Sequence, residues 1–335
     1  MAKLIGTHNG SFHSDEALAI YMIQLLPEYK TSSIIRTRDP NELEKCDIVV
    51  DVGGVYDHDS KRYDHHQRSF NETFSPDFKT RLSSAGLIYK HYGKQVIDIV
   101  AEGKASPQDI DLLYVKLYKT LIEGFDGVDN GVEQYPADIE PLYENSTSIF
   151  NMVKGLNPWW NESEQNYDQR FTKAMDLVGN CLVDKIKYYA HSWLPAREIV
   201  LKAYNARFDV DKSGLIMILD QFCPWESHLF DIEDLVETDP EAFPEINKNS
   251  AFTSKPLYII FQDTNGSYRV RAISKKQGSF ENRKPLPEQW RGYRDDDLSE
   301  RSKVKDCIFV HASGFIGGNK TRDGAIEMAR LAIDM

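Results

Sequence analysis

The chain has 335 residues, 41% of them hydrophobic and 27% charged; this length suits two domains, and 16 Phe, 17 Tyr and 5 Trp exclude global disorder. A formal net charge of −12 opposes indiscriminate adhesion to nucleic acid or anionic lipid. No stretch reaches the ~20 apolar residues of a membrane span.

Residues 3–7 read as a strand, and Ser14 then offers an N-cap to a helix with Ala17, Leu18, Tyr21, Met22 and Leu25 on one face. Because the chain enters a strand at once, neither a signal peptide nor an amphipathic transit peptide is expected. The expected address is therefore intracellular, cytoplasm or nucleus, with a mitochondrial form if another version carries a presequence. Residues 33–36 suggest a second strand. Residues 47–52 are the clearest buried strand, stopped by Gly53-Gly54, and 56–66 read as a hairpin or extended loop.

Helical spacing returns at 83–92 and at 110–122, the latter running into a turn, Asp126-Gly127-Val128-Asp129-Asn130-Gly131. A long helix over about 164–191 bridges to a strand at 215–219, a hairpin of 257–262 and 268–273 around Asn265-Gly266, a strand at 307–311 and a helix from about 321 to 333. The pattern predicts an α/β domain with a mostly parallel sheet over 1–145, a helical bridge over 146–195 and a smaller α+β domain over 196–335. The four cysteines, far apart in sequence, read as reduced and mostly buried thiols.

Charge is uneven along the chain. Residues 123–144 carry seven acids, and 226–245 carry eight, without a Lys or Arg; residues 269–305 carry eleven basic residues against six acidic ones. A polyanion is expected at the basic stretch, while the acidic runs read as solvated faces or cation sites.

Five of nine histidines lie in the first 66 residues, His8, His13, His58, His65 and His66, interleaved with Asp15, Asp51, Asp57, Asp59 and Asp64. Three of these clusters fall just beyond strand ends, where open α/β sheets bind ligands. Carboxylates crowded there repel unless a cation joins them, so a divalent metal is expected. Nitrogen and oxygen donors without thiolate suit Mn²⁺, Fe²⁺, Zn²⁺ or Mg²⁺, the histidines tilting away from Mg²⁺. In an extended segment His65 and His66 point to opposite faces, so one is expected on metal and the other on substrate. Asp51, at the end of a buried strand, is placed to bridge two ions about 3.5 to 4 Å apart, the arrangement that cleaves phosphate esters. Asp57-His58-Asp59 reads as a solvated loop. Trp159, Trp160 and Trp225 are expected to be buried, and His91, His191 and His228 to be structural.

The segments Gly6-Thr7-His8-Asn9-Gly10-Ser11-Phe12-His13-Ser14-Asp15-Glu16, Asp47 to Asp51, Tyr63-Asp64-His65-His66-Gln67, Asp126 to Gly131 and His311-Ala312-Ser313-Gly314-Phe315-Ile316-Gly317-Gly318-Asn319-Lys320 closely resemble the Myg-type proteins, named for a melanocyte proliferating gene. That family is related to the DHH phosphoesterases, which include RecJ-type nucleases, oligoribonuclease-like enzymes and manganese inorganic pyrophosphatases. The resemblance implies a DHH-phosphoesterase-like first domain and a 3′-to-5′ exonuclease that hydrolyses single-stranded RNA in nucleus and mitochondria with two divalent ions. His8, His13 and Asp51 would hold one ion; Asp15, Asp51 and His65, with Asp126 or Asp129, would hold the other. Asp129-Asn130-Gly131 is nearer the superfamily's Asp-Thr-Gly form.

By the same resemblance His66 would contact the scissile phosphate and Asp64 would orient the imidazoles. His13 stands where the superfamily usually has an aspartate. The charged ligands then total −3 against +4, which favours an anionic phosphate and Mn²⁺ over Mg²⁺. Gly317, Gly318, Asn319 and Lys320, with His311, look like the Gly-rich segment that holds substrate across a cleft.

A phosphodiesterase or phosphatase for short oligonucleotides, nucleotides or pyrophosphate would use the same site. A non-catalytic nucleotide- or metal-binding regulator is the alternative of another class. The sequence leaves the oligomeric state open.

Overall fold

The computed structural model describes residues 2–136, 138–140, 142–238 and 255–335. They form two compact units, Met1–His191 and Ser192–Met335.

The first unit runs β1 (Leu4–Thr7), α1 (Ser14–Leu25), β2 (Ser33–Arg36), α2 (Pro40–Leu43), β3 (Ile48–Val50), β4 (Tyr56–Asp57), β5 (Arg62–Tyr63), α3 (Ser84–Val100), α4 (Pro107–Leu117), α5 (Glu123–Asp129), α6 (Ile149–Leu156) and α7 (Tyr167–Tyr188). Its sheet has the order β2-β1-β3-β5-β4; β1 is parallel to β2 and β3, β3 to β5, and β4 closes one edge antiparallel. Ile48, Val49 and Val50 are all buried, as expected of a strand covered on both faces.

Helix α1 is buried almost all round, which its continuous run of Ala, Leu, Ile and Met permits, and it packs against α3 and α7. Gly179 allows that approach, because a Cβ there would overlap the Tyr21 ring. The helices α6 and α7, from the stretch expected to bridge domains, pack on α1 within this unit.

One turn is a helix. A π turn at Tyr118–Ile122 carries α4 directly into α5, so Asp126 and Asp129 lie one turn apart on a helix; the chain reverses only after Asn130, at Gly131, with φ 68°.

The second unit runs α8 (Leu194–Asn205), α9 (Arg207–Val210), β6 (Ile216–Ile218), α10 (Glu226–Thr238), β7 (Tyr258–Gln262), β8 (Tyr268–Ala272), α11 (Asp295–Ser302), β9 (Cys307–Val310), β10 (Ile316–Asn319) and α12 (Arg322–Asp334). Its sheet, β6-β7-β8-β10-β9, is antiparallel except for β6 with β7. Alternation along β7 feeds two cores: Tyr258 and Ile260 join Val270, Met328 and Ala329, while Ile259 and Phe261 join Val200, Leu229 and Ile232.

Part of the acidic run beyond 226 is α10; residues 239–245 lie outside the described residues. Its Glu233 is buried in a two-pronged pair with Arg283 at 2.7 and 2.6 Å rather than solvated. Trp225 is buried as expected, but Trp159 and Trp160 are 67% and 90% exposed. They follow the end of α6 in an irregular segment that packs neither ring. All four cysteines are free, with Cys46, Cys223 and Cys307 buried. Among the described residues no helix is long and apolar enough to cross a membrane.

Gly179→Ala should lower the thermal midpoint by several degrees. A better helix former gains about 1 kcal/mol, but the Tyr21 overlap costs about 1–3 kcal/mol, and the ring's base has no slack. Unchanged or raised melting, followed by circular dichroism, would show that α1 and α7 are not so closely packed.

Candidate metal centre

Because β1, β3 and β5 are parallel neighbours, their carboxyl ends open on one side, and each is followed by chemistry-bearing residues: His8 after β1, Asp51 after β3, and Asp64, His65 and His66 after β5. Asp51 has φ 60°, a left-handed conformation that aspartate tolerates better than most residues and that turns the chain sharply off β3. Its carboxylate, 5% exposed, reaches two imidazoles at once, Oδ2 being 3.3 Å from His8 Nε2 and Oδ1 3.2 Å from His65 Nε2.

The amino end of α1 adds the next layer. His13 caps the helix, and Glu16 Oε1 accepts the His13 amide hydrogen at 2.7 Å while lying 3.2 Å from His8 Nε2. Asp15 is fully buried and takes the Ser84 hydroxyl hydrogen on Oδ2 at 2.8 Å. The sequence showed Glu16 only as part of a motif. The one signal for it is its position three residues past the cap, where a glutamate closes a capping box.

Helix α5 separates the two aspartates that sequence left undivided. Asp129 Oδ2 is 3.1 Å from His65 Nε2. Asp126 faces the other way, fully buried, and its oxygens are taken by the Ser83 amide (2.9 Å), the Ser83 hydroxyl (2.7 Å) and the Tyr118 hydroxyl (2.8 Å). Asp126 is thus spent on joining α5 to α3, and Gly86 leaves room for it, since a Cβ there would overlap its carboxylate.

His65 and His66 do not point apart. Their ring centroids are 4.4 Å from one another, because residues 64–66 lie beyond β5 and lack strand alternation. His66 is solvent-facing, with Nδ1 2.6 Å from Asp64 Oδ1 and 3.9 Å from Asp51 Oδ1. Asp64 also accepts the amide hydrogens of Gly54 and His66. Its buried carboxylate therefore fixes the loop and the ring together.

Ligand-competent atoms converge in three overlapping groups, each within 4.8 Å: His8, His13, Glu16 and Asp51; Asp51, His65 and His66; His13, Asp15 and Asp129. Asp51 and His13 are shared between groups. Charge and burial fit a cation. Burial, then the neighbouring carboxylates, pushes Asp15 up and Glu16 well up, and Asp129 rises to about 8 through burial and the Asp15 charge. Burial also raises Asp51, but hydrogen bonds with His65 and His8 outweigh it and hold Asp51 down at about 2. Asp15 Oδ1 and Glu16 Oε2 are buried with no hydrogen-bond partner, an expensive state for a carboxylate that a cation relieves.

A cavity of about 1050 Å³ opens beside this cluster, and His13, His65, His66 and Asp129 line it.

The other expected site residues are placed differently. Gly317, Gly318 and Asn319 form β10, an inner strand paired with β8 and β9, so their backbone groups serve the sheet instead of a loop open to phosphate. The Asn319 side chain is buried, donating to the Lys305 carbonyl and accepting from the Thr321 amide. Lys320 and His311 are exposed, His311 beside the Ser313 hydroxyl. Of the three histidines without a partner in the sequence reading, His91 meets Tyr56 and stacks on His58 at 3.8 Å, and His228 bonds the Trp193 carbonyl.

His66 is pushed up to about 9, chiefly by its hydrogen bond to Asp64. In metal-free Asp64→Asn protein the His66 titration, followed by NMR, should fall toward the ordinary 6.5. A midpoint that stayed near 9 would assign the shift to Asp51 and Asp129 instead.

Residues 4–333 match the model of MYG1_exonuc, described as uncharacterised protein family UPF0160. The MYG1 protein of Caenorhabditis elegans is 48% identical over all of this chain and 96% of its own length. That of Saccharomyces cerevisiae is 44% identical over 99% and 96%. The human protein named MYG1 exonuclease is 45% identical over 98% of this chain and 85% of its own length. A crystal structure of exonuclease RecJ bound to manganese aligns over the whole chain and 91% of its own at 11% identity with a TM-score of 0.24, a likeness too slight to bear on fold or chemistry. The expected resemblance is borne out at nearly full length, and the chain belongs to the MYG1 family.

Proposed function

We propose that the chain is a metal-dependent 3′-to-5′ exoribonuclease that hydrolyses phosphodiester bonds of single-stranded RNA with two divalent ions, Mn²⁺ preferred over Mg²⁺. The observation that carries this reading is Asp51, whose two oxygens face two different imidazoles in a cluster of carboxylates beside an open cavity. The exonuclease names of the human and mouse relatives support the reaction class. The mixed nitrogen and oxygen donors support Mn²⁺.

His8, His13, Glu16 and Asp51 would hold one ion, and Asp15, Asp51, His65 and Asp129 the other. When bound, such ions supply charge neutralisation for phosphoryl oxygens and acidify water. The chain's own residues do the rest. Asp51 fixes the spacing of the two ligand groups. Asp64 holds the His66 ring through Nδ1 and keeps it cationic, leaving Nε2 to donate to a phosphate oxygen. Ser84, donating to Asp15, and the Asn9 carbonyl, 3.2 Å from His8 Nδ1, orient two of the ligands.

A second reading, hydrolysis of short oligonucleotides or nucleotides, is favoured by the state of the basic stretch in the second unit. There Arg269 pairs with Asp263, Lys275 with Glu281 and Arg283 with Glu233, so three of the eleven basic residues are already neutralised, which lowers the positive charge a long polyanion would meet.

A 5′-labelled single-stranded RNA of about 20 nucleotides should be shortened stepwise from its 3′ end, faster in Mn²⁺ than in Mg²⁺, and Asp51→Ala should retain less than about a tenth of the rate. Internal cuts, shortening from the 5′ end, or cleavage of dinucleotides alone would contradict the exonuclease reading. The two aspartates of α5 should part company in calorimetric Mn²⁺ titration. Asp129→Ala should weaken binding at least about tenfold, while Asp126→Ala should bind Mn²⁺ but melt earlier, having left Ser83 and Tyr118 unsatisfied. The reverse pattern would exchange their roles.

A further inference from the structure

The cavity beside the metal cluster has a second wall that the hydrolytic chemistry does not use. Helix α6 presents Phe150, Asn151 and Lys154 to it, and the loop before α3 adds Arg68 and Arg81. The wall is built rather than incidental. Asn157, at the carboxyl end of α6, accepts from the Phe12 amide and donates to the Phe12 carbonyl, both at 2.9 Å, tying the helix to the segment that carries His13. Arg170, paired with Glu162 at 2.6 Å, donates to the Leu156 and Asn157 carbonyls, and Phe150 packs edge-on against Phe125 at 5.1 Å.

Its cations lack anions. Among the described residues neither Arg68 nor Lys154 has an ion-pair partner, and Arg81 donates only to the Asn130 side chain (2.8 Å) and the Phe70 carbonyl (3.4 Å). A chain with twelve more acidic than basic charges has carboxylates to spare, yet these three groups line the cavity without one. The lining also has an apolar part, Phe150 one turn from Lys154 on α6 and the exposed Val128 of α5. Cations beside an aromatic edge suit a ligand with a phosphate and a flat base. The cluster also needs these cations. Asp15, Glu16, Asp51 and Asp129, all ionised, would cancel two divalent ions, leaving the attraction of an anionic linkage to His66 and to these three cations.

We propose that this cavity is a substrate subsite that holds the nucleotide adjoining the scissile phosphate, with Arg68, Arg81 and Lys154 on the next phosphate along the strand and Phe150 against the base. This deepens, and rests on, the phosphodiester reading of the metal cluster. At about 1050 Å³ the cavity is ample for such a unit.

The full-length protein and its Lys154→Ala, Arg68→Ala and doubly substituted forms should be assayed in Mn²⁺ on a trinucleotide RNA and on bis(p-nitrophenyl) phosphate, which has no neighbouring phosphate or base. Binding of the trinucleotide should be measured in Ca²⁺ by fluorescence anisotropy. Both side chains are exposed and make no hydrogen bond in the described structure, so the substitutions spare the fold. Each single change should raise the trinucleotide KM and Kd about tenfold with little change in kcat, the double change more, and losses on the aryl ester should be at least about tenfold smaller. Unaltered trinucleotide KM and Kd, or equal losses on both substrates, would overturn the subsite while leaving the hydrolytic reading standing. Trinucleotide binding that depends on Lys154 in a protein that hydrolyses neither substrate would sink the hydrolytic reading and keep the subsite. A wild-type protein that does not bind trinucleotide overturns both.

Discussion

Asp51 leaves the end of β3 with φ 60° and sets one oxygen toward His8 and the other toward His65. The strands these imidazoles follow are held side by side only because β1, β3 and β5 run parallel, and the left-handed turn at Asp51 aims the carboxylate between them. Everything else in the cluster is arranged around that position. Glu16 comes in beside His8 from the amino end of α1, and Asp129 comes in beside His65 from α5. The pairing of Val49 with Gly6 on one side and with Arg62 on the other, and of Val50 with Tyr63, holds the register of the site, since a one-residue slip of β3 would draw the carboxylate away from both imidazoles.

The distribution of charge follows from that crowding. Four carboxylates packed within a few ångströms are expensive to keep ionised without cations, and the raised Asp15, Glu16 and Asp129 express that cost. The imidazoles supply part of the balance: burial pulls His8 down, but Asp51 and Glu16 outweigh it and push His8 up to about 10. Asp64 does the same for His66 at the rim. Beyond them stand the unpaired Arg68 and Lys154, so positive charge increases from the acidic centre toward the cavity. In the second unit, by contrast, Arg269 is engaged by Asp263 and Arg283 by Glu233.

Much of the centre was legible because its residues sit where local rules apply. His8, Asp51 and His65 each follow a strand, and the buried run before Asp51 is plain from composition alone. Glu16 was not, since an acid in the first turn of a helix ordinarily faces solvent; only the packing of α1 among α3 and α7 buries it. Asp126 and Asp129 could not be divided while their segment read as a turn, because which one faces the site is set by helical phase after the π turn. Gly317-Gly318-Asn319 was not legible as a strand for a related reason. Two glycines and an asparagine have poor strand propensity, and it is the tight packing between β8 and β9, with Leu286 and Phe309 where side chains would be, that makes a strand of them.

The most direct test of the central place given to Asp51 is anomalous diffraction at the manganese edge from crystals grown with Mn²⁺. The account predicts two peaks flanking the Asp51 carboxylate, one also touched by His8 and Glu16 and the other by His65 and Asp129, with Asp126 still bonded to Ser83 and Tyr118. A single ion away from Asp51, or one held by Asp126, would contradict it.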